Sequence, residues 1–297
     1  MTKILITGTN SFIGTNFRRF SKYRMIEEVS LSLNKPEDID YSHYDVILHL
    51  AAIVHQSKKI HDNEYFSVNK DLCLKVAENA KKAGVRQFVF LSTLKVYGNF
   101  NSDHNIRTEN SPCFPDDSYG KSKYEAEIGL KKIEDDNFTV SIIRPSLVYG
   151  AGVKANMLSI VKLIGFFPIL PFGSISNKRN FIYSGNLVGF IDRIIEKRAS
   201  GVFIAKDDDA ISTTQLVSYL AESLGRKVTL FKLPKFFISA GTFILPSAFS
   251  RLFGSFDFDN SETKKILAYT PFYTTEQGIK KWIDDFKSAE ESDEKPE

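Results

Sequence analysis

Lys3-Ile4-Leu5-Ile6-Thr7-Gly8-Thr9-Asn10-Ser11-Phe12-Ile13-Gly14 decides the fold. Lys3 to Thr7 reads as a short buried strand. Gly8 permits a tight turn, and a helical stretch follows to about Phe20. Strand, glycine turn and helix in this order form a dinucleotide-binding unit: the helix start offers free N–H groups and the positive end of its dipole to a pyrophosphate. Gly14 is expected to let the helix pack close to the strand. Ser11 stands where a middle glycine is common, so the backbone approaches phosphates less closely. Gly8, Asn10, Ser11, Phe12, Ile13 and Gly14 are the first cofactor-binding candidates.

Outward from this unit, strand and helix signals alternate. Val29–Leu33, Asp45–Leu50, Gln87–Ser92 and Thr139–Arg144 read as strands; Tyr65–Ala83, stopped by Gly84, and Tyr119–Lys132 read as helices. Such alternation predicts an α/β fold, a Rossmann-type doubly wound parallel sheet whose ligands bind beyond the carboxyl ends of the strands. Thr7/Gly8, His49/Ala51, Thr93 and Arg144/Pro145 fall at those ends. The second half has fewer clean strands. Val202–Ala205 is one; Ser212 caps a helix running to Leu224 with Gly225 beyond it, and further helices start at Ser261 and at Thr275, the latter carrying Trp282 into the core. Residues 1–150 are expected to form mainly an NAD(P)-binding domain to which later segments return, 151–287 a smaller C-terminal α/β substrate-binding region, and 288–297, acidic and polar, a disordered tail.

The net charge of +3 gives no sign of a nucleic-acid partner, and 42% hydrophobic residues over 297 suffice for a sizeable core. Cys73 and Cys113 form no framework, and no leader precedes the first strand, so a reducing cytoplasm is the expected home. His43, His49, His55 and His61 recur every six residues, a spacing that suits no zinc pattern, and no metal is expected. Phe236–Phe253 and Leu163–Phe172 are apolar but interrupted by Pro246, Arg251 and two further prolines. They read as core or lid segments, with an interfacial contact as the alternative, and not as an integral membrane segment.

Tyr119 and Lys123 lie four residues apart in Ser118-Tyr119-Gly120-Lys121-Ser122-Lys123, on one helix face. An ammonium beside a phenol lowers the phenol's pKa, which suits proton transfer to or from a substrate oxygen.

Together these residues resemble the extended short-chain dehydrogenase/reductases of the NAD-dependent epimerase/dehydratase family. The matching motifs are Thr7-Gly8…Phe12-Ile13-Gly14, His49-Leu50-Ala51-Ala52, Val68-Asn69, Phe88-Val89-Phe90-Leu91-Ser92-Thr93…Val96-Tyr97-Gly98, Tyr119…Lys123, and Ile143-Arg144-Pro145…Val148-Tyr149-Gly150. Val148–Asn156 and Leu94-Lys95-Val96 resemble the UDP-glucose 4-epimerase-like branch, which includes nucleotide-sugar 4-keto reductases. The resemblance implies Thr93, Tyr119 and Lys123 as catalytic residues. Thr93 would hydrogen-bond the reacting oxygen, with Ser92 its nearest rival. Tyr119 would be the acid or base, and Lys123 would hold the ribose. It implies Asn156 and Arg179 on the substrate diphosphate, and Leu50, Ala51, Ala52, Asn69, Asp38 and Pro145 along the cofactor. Ser255–Ser261 resembles the segment that closes over a uridine but lacks the second arginine of many relatives. Relatives also suggest a homodimer through four helices, two of them Tyr65–Ala83 and Tyr119–Lys132.

An NAD enzyme carries an acid at the end of its second strand. Leu31-Ser32-Leu33-Asn34-Lys35 supplies none, and Glu27 and Glu28 fall before the expected strand. Ser32, Asn34 and Lys35 suit a 2′-phosphate, so NADP(H) is favoured over NAD(H). Leu94-Lys95, where dehydratase relatives have Asp-Glu, excludes dehydration. The expected reaction, as the resemblance implies it, is hydride delivery to a 4-keto-6-deoxy nucleotide sugar, a UDP sugar, for surface polysaccharide. A UDP-sugar 4-epimerase is the close alternative and a non-catalytic dinucleotide-sensing regulator the distant one.

Overall fold

The computed structural model describes residues 1–54, 60–98, 106–153, 156–234, 236, 243, 249 and 252–293. Six parallel strands form the central sheet: β1 (Lys3–Thr7), β2 (Met25–Val29), β3 (Val46–His49), β4 (Gln87–Leu91), β5 (Thr139–Pro145) and β9 (Gly201–Ala205), in the order β2-β1-β3-β4-β5-β9. Helices α1 (Phe12–Phe20) and α6 (Ser184–Lys197) cover one face, where Phe17, Leu187, Phe190 and Ile191 pack on Ile4, Ile6, Leu48 and Phe203. Helices α3 (Cys73–Lys82) and α4 (Ser118–Ile133) cover the other, where Val76, Ala77, Ala126 and Leu130 meet Leu5, Ile47, Phe88 and Ile142. Strand residues therefore point alternately into two cores, and the sheet reads as near-continuous apolar runs. The chain leaves β1 for β2 on one side and returns to β3 on the other, so the switch point of this sheet lies between the ends of β1 and β3.

Three elements differ from expectation, the second strand and the tail first. The second strand is Met25–Val29, four residues before the expected Val29–Leu33. It is the sheet's edge, paired only with β1, and its exposed Met25 and Glu27 explain a composition too polar to read as a buried strand. Glu27 and Glu28 thus lie inside β2, and Ser30–Asn34 forms a turn closed by the Asn34 N–H on the Ser30 carbonyl (3.1 Å). The tail is the second: Ser288–Asp293 continues the last helix. Ile279, Trp282 and Ile283 anchor that helix in a core, and Ala289, Glu290 and Glu291 favour its propagation.

The long helical segment expected from Tyr65 starts earlier, as α2 (Asp62–Phe66), and reaches α3 through a π-helical turn, Ser67–Leu72. Beyond Tyr149 a smaller body takes shape. It holds β6 (Leu147–Tyr149) beside β8 (Phe181–Tyr183), β7 (Ile169–Gly173) beside β10 (Thr229–Lys232), and helices α5 (Asn156–Phe166) and α7 (Thr213–Leu224). Ser212 and Gln215 form a reciprocal capping box at the start of α7, and Gly225 ends it in the left-handed conformation. Two more helices, α8 (Ser261–Leu267) and α9 (Thr275–Asp293), complete the chain. Among the described residues no helix is long and apolar enough to cross a membrane, and no group of three His, Cys, Asp or Glu side chains is placed to hold a metal. His55 and most of Phe236–Phe253 lie outside the described residues, so the readings made there go no further.

Candidate active site

The crevice opens above the carboxyl ends of β1, β3, β4 and β5. Gly8 sits at φ 103°, and a Cβ there would stand 3.0 Å from the Ala51 nitrogen, so only glycine lets β1 turn this close to the chain leaving β3. The two strand ends are tied by Leu50 N–H to the Thr7 carbonyl (3.0 Å) and by the Thr7 hydroxyl to His49 Nδ1 (2.7 Å). Asn10 takes φ 54°. Ser11 caps α1 by accepting from the Gly14 N–H at 3.0 Å, and a Cβ on Gly14 would come within 2.8 Å of that hydroxyl. Gly14 thus makes room for the Ser11 cap. Phe12 and Ile13 head the helix, where N–H groups have no intrahelical partner and are suited to an anion.

These features fit a dinucleotide. A carboxylate sequence reasoning misplaced also sits here. Glu28 Oε2 lies 3.4 Å from the Asn10 nitrogen, and its other oxygen 3.8 Å from Arg18. It reaches the glycine turn because β2 is shifted, putting Glu28 next to the strand's last residue. Ser32, Asn34 and Lys35 lie exposed on the following turn, and the Asn34 amide folds back onto the Ser30 carbonyl at 3.0 Å. Asp38 ends a short 3-10 turn and is exposed. Leu50, Ala51 and Ala52 border the crevice, half-buried, as does Pro145 at the end of β5. Asn69 is fully buried in the π-helical turn. Its amide binds both Ile53 backbone groups (2.8 and 3.0 Å) and the Ser122 hydroxyl (3.1 Å), pinning the loop after β3 to α4.

The reactive groups come from two elements. β4 ends at Leu91; Ser92 and Thr93 follow, and Thr93 caps a 3-10 turn (Leu94–Tyr97) through the Lys95 N–H at 3.2 Å. Asp117 caps α4 through the Gly120 N–H at 2.6 Å and so fixes the turn of helix that carries Tyr119. The Tyr119 phenol comes near enough to Thr93, across 26 positions of sequence, for that side chain to act on its pKa, and its ring packs edge-on to Tyr65 at 6.4 Å. Ser92 does not share this place: its hydroxyl, 4% exposed with the residue, donates to Glu127 at 2.5 Å.

Lys123 is 2% exposed, its ammonium 2.8 Å from the Leu91 carbonyl and 4.4 Å above the Phe90 ring. Burial lowers it to about 8. The lowered phenol pKa expected from Lys123 is corrected here. Desolvation pushes Tyr119 up to about 12, opposed by the Thr93 side chain, and Lys123 is not among the groups that shift it. An i, i+4 spacing brings two side chains to one face, but Lys123 turns under the sheet edge toward Leu91 while Tyr119 meets Thr93.

Sequence reasoning also missed the supports. Lys95, paired with Asp117 at 2.5 Å, stands 5.7 Å from the centre of the Tyr119 ring. Below, Arg144 at the end of β5 forms a two-pronged pair with Glu127 (3.0 and 2.5 Å) and donates to the Tyr97 hydroxyl at 2.7 Å. Both charges are buried, 3% and 1% exposed, which locks α4 to the ends of β4 and β5. Glu127 follows Lys123 by four residues, so the helix stripe Tyr119, Lys123, Glu127 was visible as a pattern though its partners were not. Arg179 lies across the small body, bridged to Ile211 and Phe256, with its guanidinium 3.2 Å from the Gly254 carbonyl. Asn156 is the first residue of α5; its side chain lies outside the described set.

Residues 29–204 match the model of the NAD dependent epimerase/dehydratase family. A UDP-glucose 4-epimerase of Vibrio cholerae is 32% identical over 96% of both chains. An N-acetyl-alpha-D-glucosaminyl-diphospho-ditrans,octacis-undecaprenol 4-epimerase of Escherichia coli O157:H7 is 28% identical over 78% of this chain and 75% of that one. Among solved structures, the UDP-glucuronic acid 4-epimerase of Bacillus cereus in complex with NAD superposes with a TM-score of 0.74, covering 97% of this chain and 99% of that one; at 20% identity this likeness speaks for the fold.

Proposed function

The chain belongs to the NAD dependent epimerase/dehydratase family, and from that premise we propose that it is a 4-epimerase of a diphosphate-activated sugar. The observation that carries this reading is the Thr93–Tyr119 hydroxyl pair at the end of β4, with Lys95 beside it paired to Asp117. Dehydration needs a second acid and base next to the sugar, and the positions after Thr93 hold buried Leu94 and a cation. What is left is chemistry at C4 alone.

The bound dinucleotide supplies acceptance and return of the C4 hydride. Tyr119 takes the O4 proton and returns it after the ketone has presented its other face. Thr93 holds O4 in line with the phenol. Lys123, whose one hydrogen-bond partner among the described residues is the Leu91 carbonyl, would offer its remaining donors to the ribose hydroxyls. With a pKa of about 12 the phenol of the chain alone is protonated at neutral pH, so its role as a base depends on positive charge arriving beside it. Arg179 and the α5 N-terminus at Asn156 would hold the diphosphate.

Glu28 turns the cofactor preference. A carboxylate at the glycine turn repels a 2′-phosphate and accepts from a ribose hydroxyl, which favours NAD(H) held through the cycle over the NADP(H) read from the sequence. A second reading, a 4-keto-sugar reductase, keeps one supporting observation: the turn after β2 carries no acid and exposes Lys35. Incubation with UDP-glucose or UDP-N-acetylglucosamine decides between them. The epimerase reading expects the C4 epimer to form with no net change in absorbance of the reduced cofactor. Net oxidation of NADPH by a 4-keto sugar, with no epimerisation, would replace it by the reductase.

A further inference from the structure

Gly165-Phe166-Phe167-Pro168-Ile169, the tip between α5 and β7, is exposed at every residue; Phe166, Phe167 and Ile169 show 79%, 54% and 60% of their surface. β10 pairs with β7 beside it, and the Thr229 N–H binds the Pro168 carbonyl at 2.8 Å, which brings the exposed Phe231 to the same edge. Single exposed apolar residues are ordinary, but a run of this kind marks a contact surface.

Charge says what kind. From Asn137 to Ile191, and again from Ser223 to Phe256, the chain contains no acidic residue. Ten of the 39 basic residues fall in these spans, but Arg144 is buried against Glu127 and Arg179 is bridged to Ile211 and Phe256, so the cations that bear on the tip are those beside it. Lys162 stands one helical turn before Phe166, and exposed Arg226, Lys227 and Lys232 flank β10. Exposed aromatics rimmed by Lys162, Arg226, Lys227 and Lys232, with exposed Glu222 the acid nearest them in sequence, complement a surface that is apolar within and anionic outside.

Location ties this surface to the site. α5 starts at Asn156, just past the Ala151 loop whose carbonyl binds Asn16 of α1 at 3.1 Å, and ends at Phe166. Its 11 residues span roughly 16 Å at 1.5 Å per residue. The crevice end of α5 therefore lies one short helix from the aromatic tip.

We propose that the Phe166–Ile169 tip with Phe231 docks on an anionic bilayer, and that the substrate reaches the site as a sugar diphosphate carried on a polyprenyl chain. The substrate half of this statement rests on the C4 chemistry proposed above; the docking half does not. A diphosphate at the start of α5 and a chain running along the helix to the tip would leave the lipid in the membrane and the sugar at Tyr119.

The test uses the full chain with vesicles of phosphatidylcholine and phosphatidylglycerol at three to one, and with phosphatidylcholine alone. Co-sedimentation is expected with the anionic vesicles. The doubly substituted Phe166→Asp, Phe167→Asp protein is expected to bind at least tenfold more weakly, and Lys227→Glu, Lys232→Glu to bind weakly and without dependence on salt. Turnover of undecaprenyl-diphospho-N-acetylglucosamine in those vesicles should fall at least tenfold in the tip variant, while UDP-N-acetylglucosamine in solution is handled by the variant as by the wild type. Equal sedimentation of wild type and tip variant, or none by either, overturns the docking surface. A tip variant that changes from dimer to monomer in analytical ultracentrifugation overturns it in favour of a second copy of the chain. Tip-dependent docking with turnover of the UDP sugar but none of the lipid-linked one overturns the substrate half. Docking with turnover of neither defeats the C4 reading while the surface stands.

Discussion

The six-stranded sheet and the smaller body both bury polar groups with partners, and each leaves one conspicuous exception. Around the sheet, charge is taken inside and given partners: Arg144 meets Glu127 and Tyr97, Ser92 meets Glu127, and Asn69 satisfies Ile53 and Ser122. Lys123 departs from this, buried with a carbonyl where a carboxylate would be expected. In the smaller body the departure is reversed, and Phe166, Phe167 and Ile169 are left outside. Each body's exception marks a place built for something other than its own stability. A buried cation suits ribose hydroxyls; an exposed aromatic tip suits a surface.

The sharpest way to break this contrast is to strip the sheet of its buried pair. Glu127→Ala leaves Arg144 and Ser92 buried without their acceptor and is expected to cost about 3–5 kcal/mol in denaturant unfolding; a loss below 1 kcal/mol would mean the pair does not hold the sheet. Next comes Tyr119→Phe. It is expected to lower turnover at least about 10²-fold, roughly 2.7 kcal/mol of barrier, with NAD affinity and melting temperature unchanged; unimpaired turnover removes the phenol from the mechanism.

Lys123→Met separates function from stability within one side chain. Activity should fall, yet unfolding at pH 7 should show a gain of about 2 kcal/mol, because an uncompensated buried charge is replaced by an apolar chain. The pH dependence gives the sign. Lys123 lies at about 8 when folded against an ordinary 10.5, so the folded protein releases the proton first. Wild type therefore gains stability relative to the variant as pH rises from about 8 to 10.5, and the gap closes above that window. A gap independent of pH would mean the ammonium is not buried at a cost. Smallest of all, Phe166→Asp with Phe167→Asp should shift unfolding by no more than about 0.5 kcal/mol; a larger loss would make the tip part of the core.

What the chain reveals of itself follows the same division. β1, the glycine turn and α1 were legible because their signals are local: an apolar run and a glycine where the chain must turn; the cap at Ser11 was not read, since that position was weighed only as a replaced glycine. The sites for Thr93 and Tyr119 were legible as motifs at a strand end and a helix start. Their approach to one another was not, since it depends on how the 25 intervening residues fold. β2 was misplaced because an edge strand needs an apolar pattern on one face only, and Glu28 came to the cofactor's side with it. The direction of the Tyr119 shift failed because spacing predicts proximity and says nothing of desolvation. In the smaller body, the pairings of β6 with β8 and β7 with β10 join short segments 34 and 60 residues apart at their starts, Leu147 with Phe181 and Ile169 with Thr229, beyond the reach of local pattern.

The π-helical turn at Ser67–Leu72 gives the site an unusual vulnerability. A wide turn holds a residue more than a regular helix of the same height. Deleting one residue there would let the coil close to standard pitch while Asp62–Phe66 kept nearly its facing relative to Cys73–Lys82, because one residue is what the wide turn holds in excess. Tyr65 would stay at the edge of the Tyr119 ring, but Asn69 would leave the bulge from which it grips Ile53 and Ser122. The helix would survive such a loss intact, and the loop it tethers beside the crevice would be set adrift.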